Sequence, residues 1–202
     1  MSRGNRLLLC TLCLLLISIA ALGDKAAYFL QYNRFSLLHG EIWRIFTAHL
    51  THINRNHLLL NLVALISIFL LWGNLLTPRK WLAAITGCML GISIGHLLFS
   101  PQLEWYRGFS GILHGLLVIG LLQEVRKGNR WSCIVLLALI VKLLVEQVLG
   151  PMAVTHQFMQ APIVPSAHLW GAMTGGLVAY TFYGAWRTTP PKSCAFETET
   201  AR

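Results

Sequence analysis

HLLLNLVALISIFLLWGNLL, residues 57–76, decides how the rest of the chain is read. It carries no charged side chain and matches the ~20 residues that cross the hydrocarbon core of a bilayer. Its first turn is polar all the same: His57 and Asn61 stand at i and i+4, so both lie on one helix face close to one membrane surface. Working outward, five more apolar stretches appear, at 7–22, 81–99, 110–123, 131–149 and 167–186. The fold class that follows is all-α: a polytopic membrane protein, a six-transmembrane-helix bundle filling 1–186 as one domain. The stretch 110–123 is short unless it starts earlier or runs on to Val125. Residues 187–202 are polar, carry two prolines, and are expected to form a flexible tail.

Composition agrees. Of 202 residues, 55% are hydrophobic and 11% charged, and the mean hydropathy is +0.61. A net charge of +9 could suggest nucleic acid, yet the basic residues form no single patch. They follow topology instead: with the N-terminus cytoplasmic, ten lie in inside segments and five (Lys25, Arg34, Arg44, Arg55, Arg107) outside. Both ends are therefore expected in the cytoplasm. The first stretch also has the look of a signal peptide, with Arg3, Arg6 and small residues before Asp24, but its loss would leave the other orientations unchanged. Four of the five cysteines fall inside apolar stretches and Cys194 in the tail, which excludes a disulfide framework.

Parity then gathers the polar residues. If the first span runs outward, the second, fourth and sixth all begin at the outer face, so His57, Asn61, Ser110 and His168 share one layer beneath the outer surface. Ser110 is bracketed by Gly108 and Gly111, and His168, Gly171 and Gly175 make one helical stripe. The face that presents the imidazole is thus the face without bulk, and it can pack backbone to backbone on the glycine-flanked serine. A serine hydroxyl needs a base in contact, and the oxyanion formed on attack needs donors already aimed at it. His168 suits the first role; the Ser110 N–H, the His57 ring and the Asn61 amide suit the second. With only Glu104 and Glu146 near the outer face, no third carboxylate is expected, and packing would orient the imidazole of a Ser-His dyad.

Other residues admit plainer readings. His49, His52 and His57 could hold zinc, but the sequence has no HExxH pattern, and a zinc site would not call for Ser110 among glycines. No metal and no cofactor are expected. His39, His96 and His156 read as interfacial or packing residues, and Gly87, Gly91 and Gly95 as a helix-packing device. Lys142 and Glu146, one turn apart, are either a self-neutralising structural pair or a substrate-contacting element. The segment 23–56 and the uncharged, proline-containing loop 150–166 bound the layer from outside, and the loop is expected to cap the site and move to admit substrate.

Together, GFSG at 108–111, HLLLN at 57–61, AHLWGAMTGG at 167–176 and WR at 43–44 resemble the motifs of the rhomboid intramembrane serine proteases, in order and spacing across nearly the whole chain. Within that family the chain most resembles the rhombosortases. The resemblance implies a nucleophile at Ser110, a base at His168 and oxyanion side chains at His57 and Asn61. It also implies a site facing the periplasm from the bacterial inner membrane, and single-pass substrates whose C-terminal anchors combine Gly-Gly, an apolar span and a basic tail. His114 departs from the family's frequent tyrosine, and can stack on His168 or compete with it as base.

Overall fold

The computed structural model describes residues 1–152 and 157–183, and they are predominantly helical. The chain opens with α1 (Arg3–Ala21), whose N-cap Ser2 accepts the amide of Asn5. It then turns through α2 (Gly23–Leu30), α3 (Arg34–Leu38), α4 (Arg44–Thr47) and a 3₁₀ turn at Ala48–Leu50. Next come α5 (Arg55–Trp72), capped by the Asn54 side chain on the His57 amide, and α6 (Pro78–Phe99), capped by Thr77 with proline in the first turn. The last three helices are α7 (Ser110–Arg126), α8 (Arg130–Leu149) and α9 (Pro165–Tyr183). Two short strands, β1 (Tyr32–Asn33) and β2 (Trp105–Tyr106), pair antiparallel with Tyr32 opposite Tyr106.

Length and apolarity single out four helices able to cross a membrane among the described residues: α1, α5, α6 and α8. The chain is a multi-pass membrane protein. The other two expected stretches differ for a physical reason. At 17 residues α7 is short, and both α7 and α9 give up apolar bulk for glycine, histidine and hydroxyl side chains. α7 sits inside the bundle, and α9 packs along it while leaving Met173, Leu177 and Tyr180 exposed. Buried Gly111, Ile112, Leu116 and Ile119 of α7 are enclosed by α5, α6, α8 and α9, while α8 turns Leu137, Val141, Leu144 and Val148 outward.

The second apolar stretch ends early as a helix. Apolarity continues to Leu76, but α5 stops at Trp72, because Gly73 caps it and the turn to Leu76 is tied to α1. There Asn5 Nδ2 donates to the carbonyls of Gly73 and Leu76, at 2.5 and 3.0 Å. The segment 23–56 is folded around a buried cation: Arg44 donates to the carbonyls of Tyr28 (3.0 Å) and Gln31 (2.7 Å), pairs with Glu41, and lies over the Phe29 ring. His156, expected to pack or lie at the interface, Cys194 and the polar tail from 187 lie outside the described residues.

Candidate active site

Ser110 is the first residue of α7, and its approach is pinned from three sides. The Tyr106 hydroxyl donates to the Gly108 carbonyl at 2.6 Å, the Gly108 amide donates to Ala48 O at 3.2 Å, and Arg107 Nε donates to Gln31 Oε1 at 2.8 Å. Being at a helix start, Ser110 lies among first-turn N–H groups that the helix itself cannot satisfy. They form a region of positive potential where negative charge on a bound carbonyl would be favoured.

The partner arrives on α9, and glycine sets the distance. A Cβ built on Gly111 would lie 2.7 Å from the Ala167 carbonyl oxygen, and one on Gly115 would lie 2.7 Å from that of Gly171. Cβ atoms on Gly171 and Gly175 would in turn collide with the backbones of Gly111 and Gly115. The two helices therefore touch main chain to main chain. Ser110 Oγ then stands 3.1 Å from His168 Nε2, a hydrogen-bond distance.

The other imidazole nitrogen corrects the sequence reading. Glu146 Oε2 lies 3.1 Å from His168 Nδ1, so a carboxylate, and not packing alone, orients the ring. Lys142 Nζ sits 2.7 Å from the same oxygen and 2.9 Å from His114 Nε2. His114 stacks on His168, with ring centres 4.1 Å apart and planes 14° apart, while its Nδ1 meets the Ser110 carbonyl at 2.8 Å. A ring nitrogen facing a carbonyl must carry the proton, which leaves Nε2 to accept from the lysine. His114 is thus engaged at both nitrogens, and neither contact is to Ser110 Oγ.

His57 and Asn61 complete the ring of polar groups. Both are buried, and both ring nitrogens of His57 and Nδ2 of Asn61 have no hydrogen-bond partner among the described residues. The His57 ring rests against Gly108, where a Cβ would come within 2.8 Å of its Cε1. His57, Asn61, Ser110, His114, Lys142, Glu146 and His168 all line one cavity of about 440 Å³. Apolar residues extend it along α5 to Leu71 and Trp72, and Met159, Pro162, Ile163 and Val164 of the loop 150–166 close its other side. That loop is anchored to the start of α5, where Asn54 and Asn56 donate to the carbonyls of Met159 and Phe158.

The remaining histidines are placed elsewhere. His49 Nε2 lies 3.0 Å from Ser93 Oγ and 3.1 Å from Met89 O, and burial pushes its pKa down to about 4. His52 meets the His57 ring edge-on at 5.1 Å; burial, and then the neighbouring His57, push it down to about 3. His96 is buried beside Tyr106, and His39 stacks on Phe35. No group of three or more His, Cys, Asp or Glu fit to hold a metal occurs among the described residues.

Against known families, the model of the Rhomboid domain matches residues 39–185, well over half of the chain. The chain belongs to the rhomboid family. No curated protein matches it. Rhomboid proteins are in general intramembrane serine proteases, and this rhomboid has a serine, a histidine and a carboxylate in hydrogen-bonding sequence within its matched region. The matched region begins after α1, which nonetheless packs into the core through Leu8, Leu12 and Leu16. Sequence reasoning missed the Glu146 contact and the Tyr106 anchor. The first had a signal, an acid within a span at the depth of His168; the second had none.

Proposed function

We propose that this rhomboid is an intramembrane serine endopeptidase that cuts the anchors of single-pass membrane proteins near their outer end. The observation that carries the reading is the 3.1 Å contact of Ser110 Oγ with His168 Nε2 in a cavity flanked by unpaired donors. In this scheme the hydroxyl proton passes to Nε2 as Oγ bonds to the substrate carbonyl carbon. The oxyanion is met by the first-turn N–H groups of α7, the His57 ring and the Asn61 amide. His168 then gives its proton to the departing amine as the C–N bond breaks. Water enters, loses a proton to Nε2, attacks the acyl carbon, and Ser110 leaves with the proton restored.

The bundle has six spans in this reading, α7 and α9 being the glycine-rich pair, with both ends in the cytoplasm and the site facing the periplasm of a bacterial inner membrane. The pairing of β1 with β2 supports the topology, because it joins the segment after α1 to the one after α6 on one side of the bundle. A peptide bond inside a helix is hydrogen-bonded and shielded, so substrate must unwind before Ser110 reaches it. Glycine lowers that cost, which favours the rhombosortase-type anchor of Gly-Gly, apolar span and basic tail. A rhomboid-like protein that only binds membrane segments would have no use for the Ser110–His168 contact.

Co-expression with an anchored protein of that design tests the proposal. Ser110→Ala and His168→Ala should each abolish the cleaved product, a loss of at least ~10³-fold. Product persisting in both variants would overturn it.

A further inference from the structure

We propose that Glu146 and Lys142 of α8 are positioning residues that set the protonation and orientation of His168, so that the site works as a serine–histidine–carboxylate relay trimmed by a lysine. The inference rests on the proteolytic reading above. Glu146 Oε2 lies 3.1 Å from His168 Nδ1, and the Glu146 side chain is almost fully buried. A carboxylate there accepts Nδ1–H, which fixes the proton on that nitrogen and leaves Nε2 free to accept from Ser110. When the ring takes the serine proton, the same carboxylate faces an imidazolium and stabilises it while keeping its own charge.

Lys142 has a second task on the same face. Its ammonium offsets the Glu146 charge at 2.7 Å and donates to His114 Nε2 at 2.9 Å. That contact fixes the His114 tautomer, holds its ring flat on His168, and removes it as a rival base. A salt bridge serving stability alone would have no reason to engage two stacked imidazoles at a nucleophile. Among the described residues, the groups at His168 are Ser110 and His114 from α7, His57 from α5, and Lys142 and Glu146 from α8, with Tyr106 and Arg107 lining the same cavity.

The two residues act on the base with opposite sign, and this gives the test. Removing the carboxylate makes His168 less basic, so the acid limb of kcat/KM moves to lower pH. Removing the ammonium makes it more basic, and the limb moves to higher pH. Purified protein is assayed against a fluorogenic transmembrane peptide and with a fluorophosphonate that labels an activated serine. Glu146→Gln should lower kcat by ~10²- to 10⁴-fold with little change in KM, and Glu146→Asp should recover about tenfold of that loss. Lys142→Met should shift the limb the other way.

A Glu146→Gln variant within threefold of the parent, or an unmoved acid limb in both variants, overturns the inference. Where the Gln variant does not fold, the Lys142→Met limb decides: displacement to higher pH supports the relay and no displacement refutes it. Parent protein that neither cleaves nor labels would refute the protease reading itself, whereas an active parent with indifferent Glu146 and Lys142 variants refutes only the relay.

Discussion

Asn61, as a proposed oxyanion donor, should contribute to folding and to chemistry in opposite directions. Its amide nitrogen is buried without a partner, a state that costs stability and that proteins seldom keep without a use. Asn61→Leu removes the orphan with the same number and branching of side-chain heavy atoms, at the border of an open cavity, so thermal unfolding in detergent should leave the midpoint unchanged or raised. Peptide cleavage should meanwhile fall ~10²-fold, the usual loss when one oxyanion donor is taken away. A midpoint that fell while cleavage held would place Asn61 in the fold and not in the chemistry. The sequence made this residue conspicuous because an amide opening an apolar run is dear to bury. Tyr106 was invisible by the same logic: an aromatic residue outside the spans looks ordinary, and only the fold brings its hydroxyl to the Gly108 carbonyl.

The decisive element is the seam between α7 and α9, where each glycine meets a different neighbour. At Gly171 the obstacle to a Cβ is the Gly111 backbone, which cannot swing aside; at Gly91 and Gly95 of α6, where that helix meets α9, it is the side chains of Thr174 and Trp170. Gly171→Ala should therefore cost ~1–3 kcal/mol in unfolding free energy and separate Ser110 from His168, whereas Gly176→Ala, with nothing within 4 Å, should be neutral or gain up to ~1 kcal/mol. Unfolding in detergent reads the first effect and fluorophosphonate labelling the second. Equal behaviour of the two variants would refute the seam. This contact was readable in the sequence, because the 168, 171, 175 stripe depends only on helix periodicity. The face shown by α8 was not. Periodicity puts Lys142 and Glu146 together, but rotation of a helix about its own axis is set by packing, here by Leu143 buried between them.

At the scale of the whole molecule, His57, Ser110 and His168, which an alternation of apolar stretches led one to expect together, do line one cavity. The fold of segment 23–56 was not legible, since its order comes from one buried guanidinium and the carbonyls it gathers, which leave no periodic trace. That segment should make the molecule sensitive to acid. His49 and His52 lie in it, outside the spans, buried with pKa values pushed down to about 4 and about 3. Both are neutral when folded and titrate near the ordinary ~6.5 when unfolded. Protons therefore bind the unfolded chain first: stability is complete above pH ~6.5 and declines as pH falls toward the folded values, by up to about 1.4 kcal/mol per pH unit for each ring. Thermal unfolding of the detergent-solubilised protein between pH 7.5 and 4.5 should show a falling midpoint below pH ~6.5. His52→Phe should flatten that slope, because neither nitrogen of this ring has a partner to lose among the described residues. An unaltered slope in the phenylalanine variant would assign the acid sensitivity to other groups, and with it the view that burial holds His52 neutral would fall.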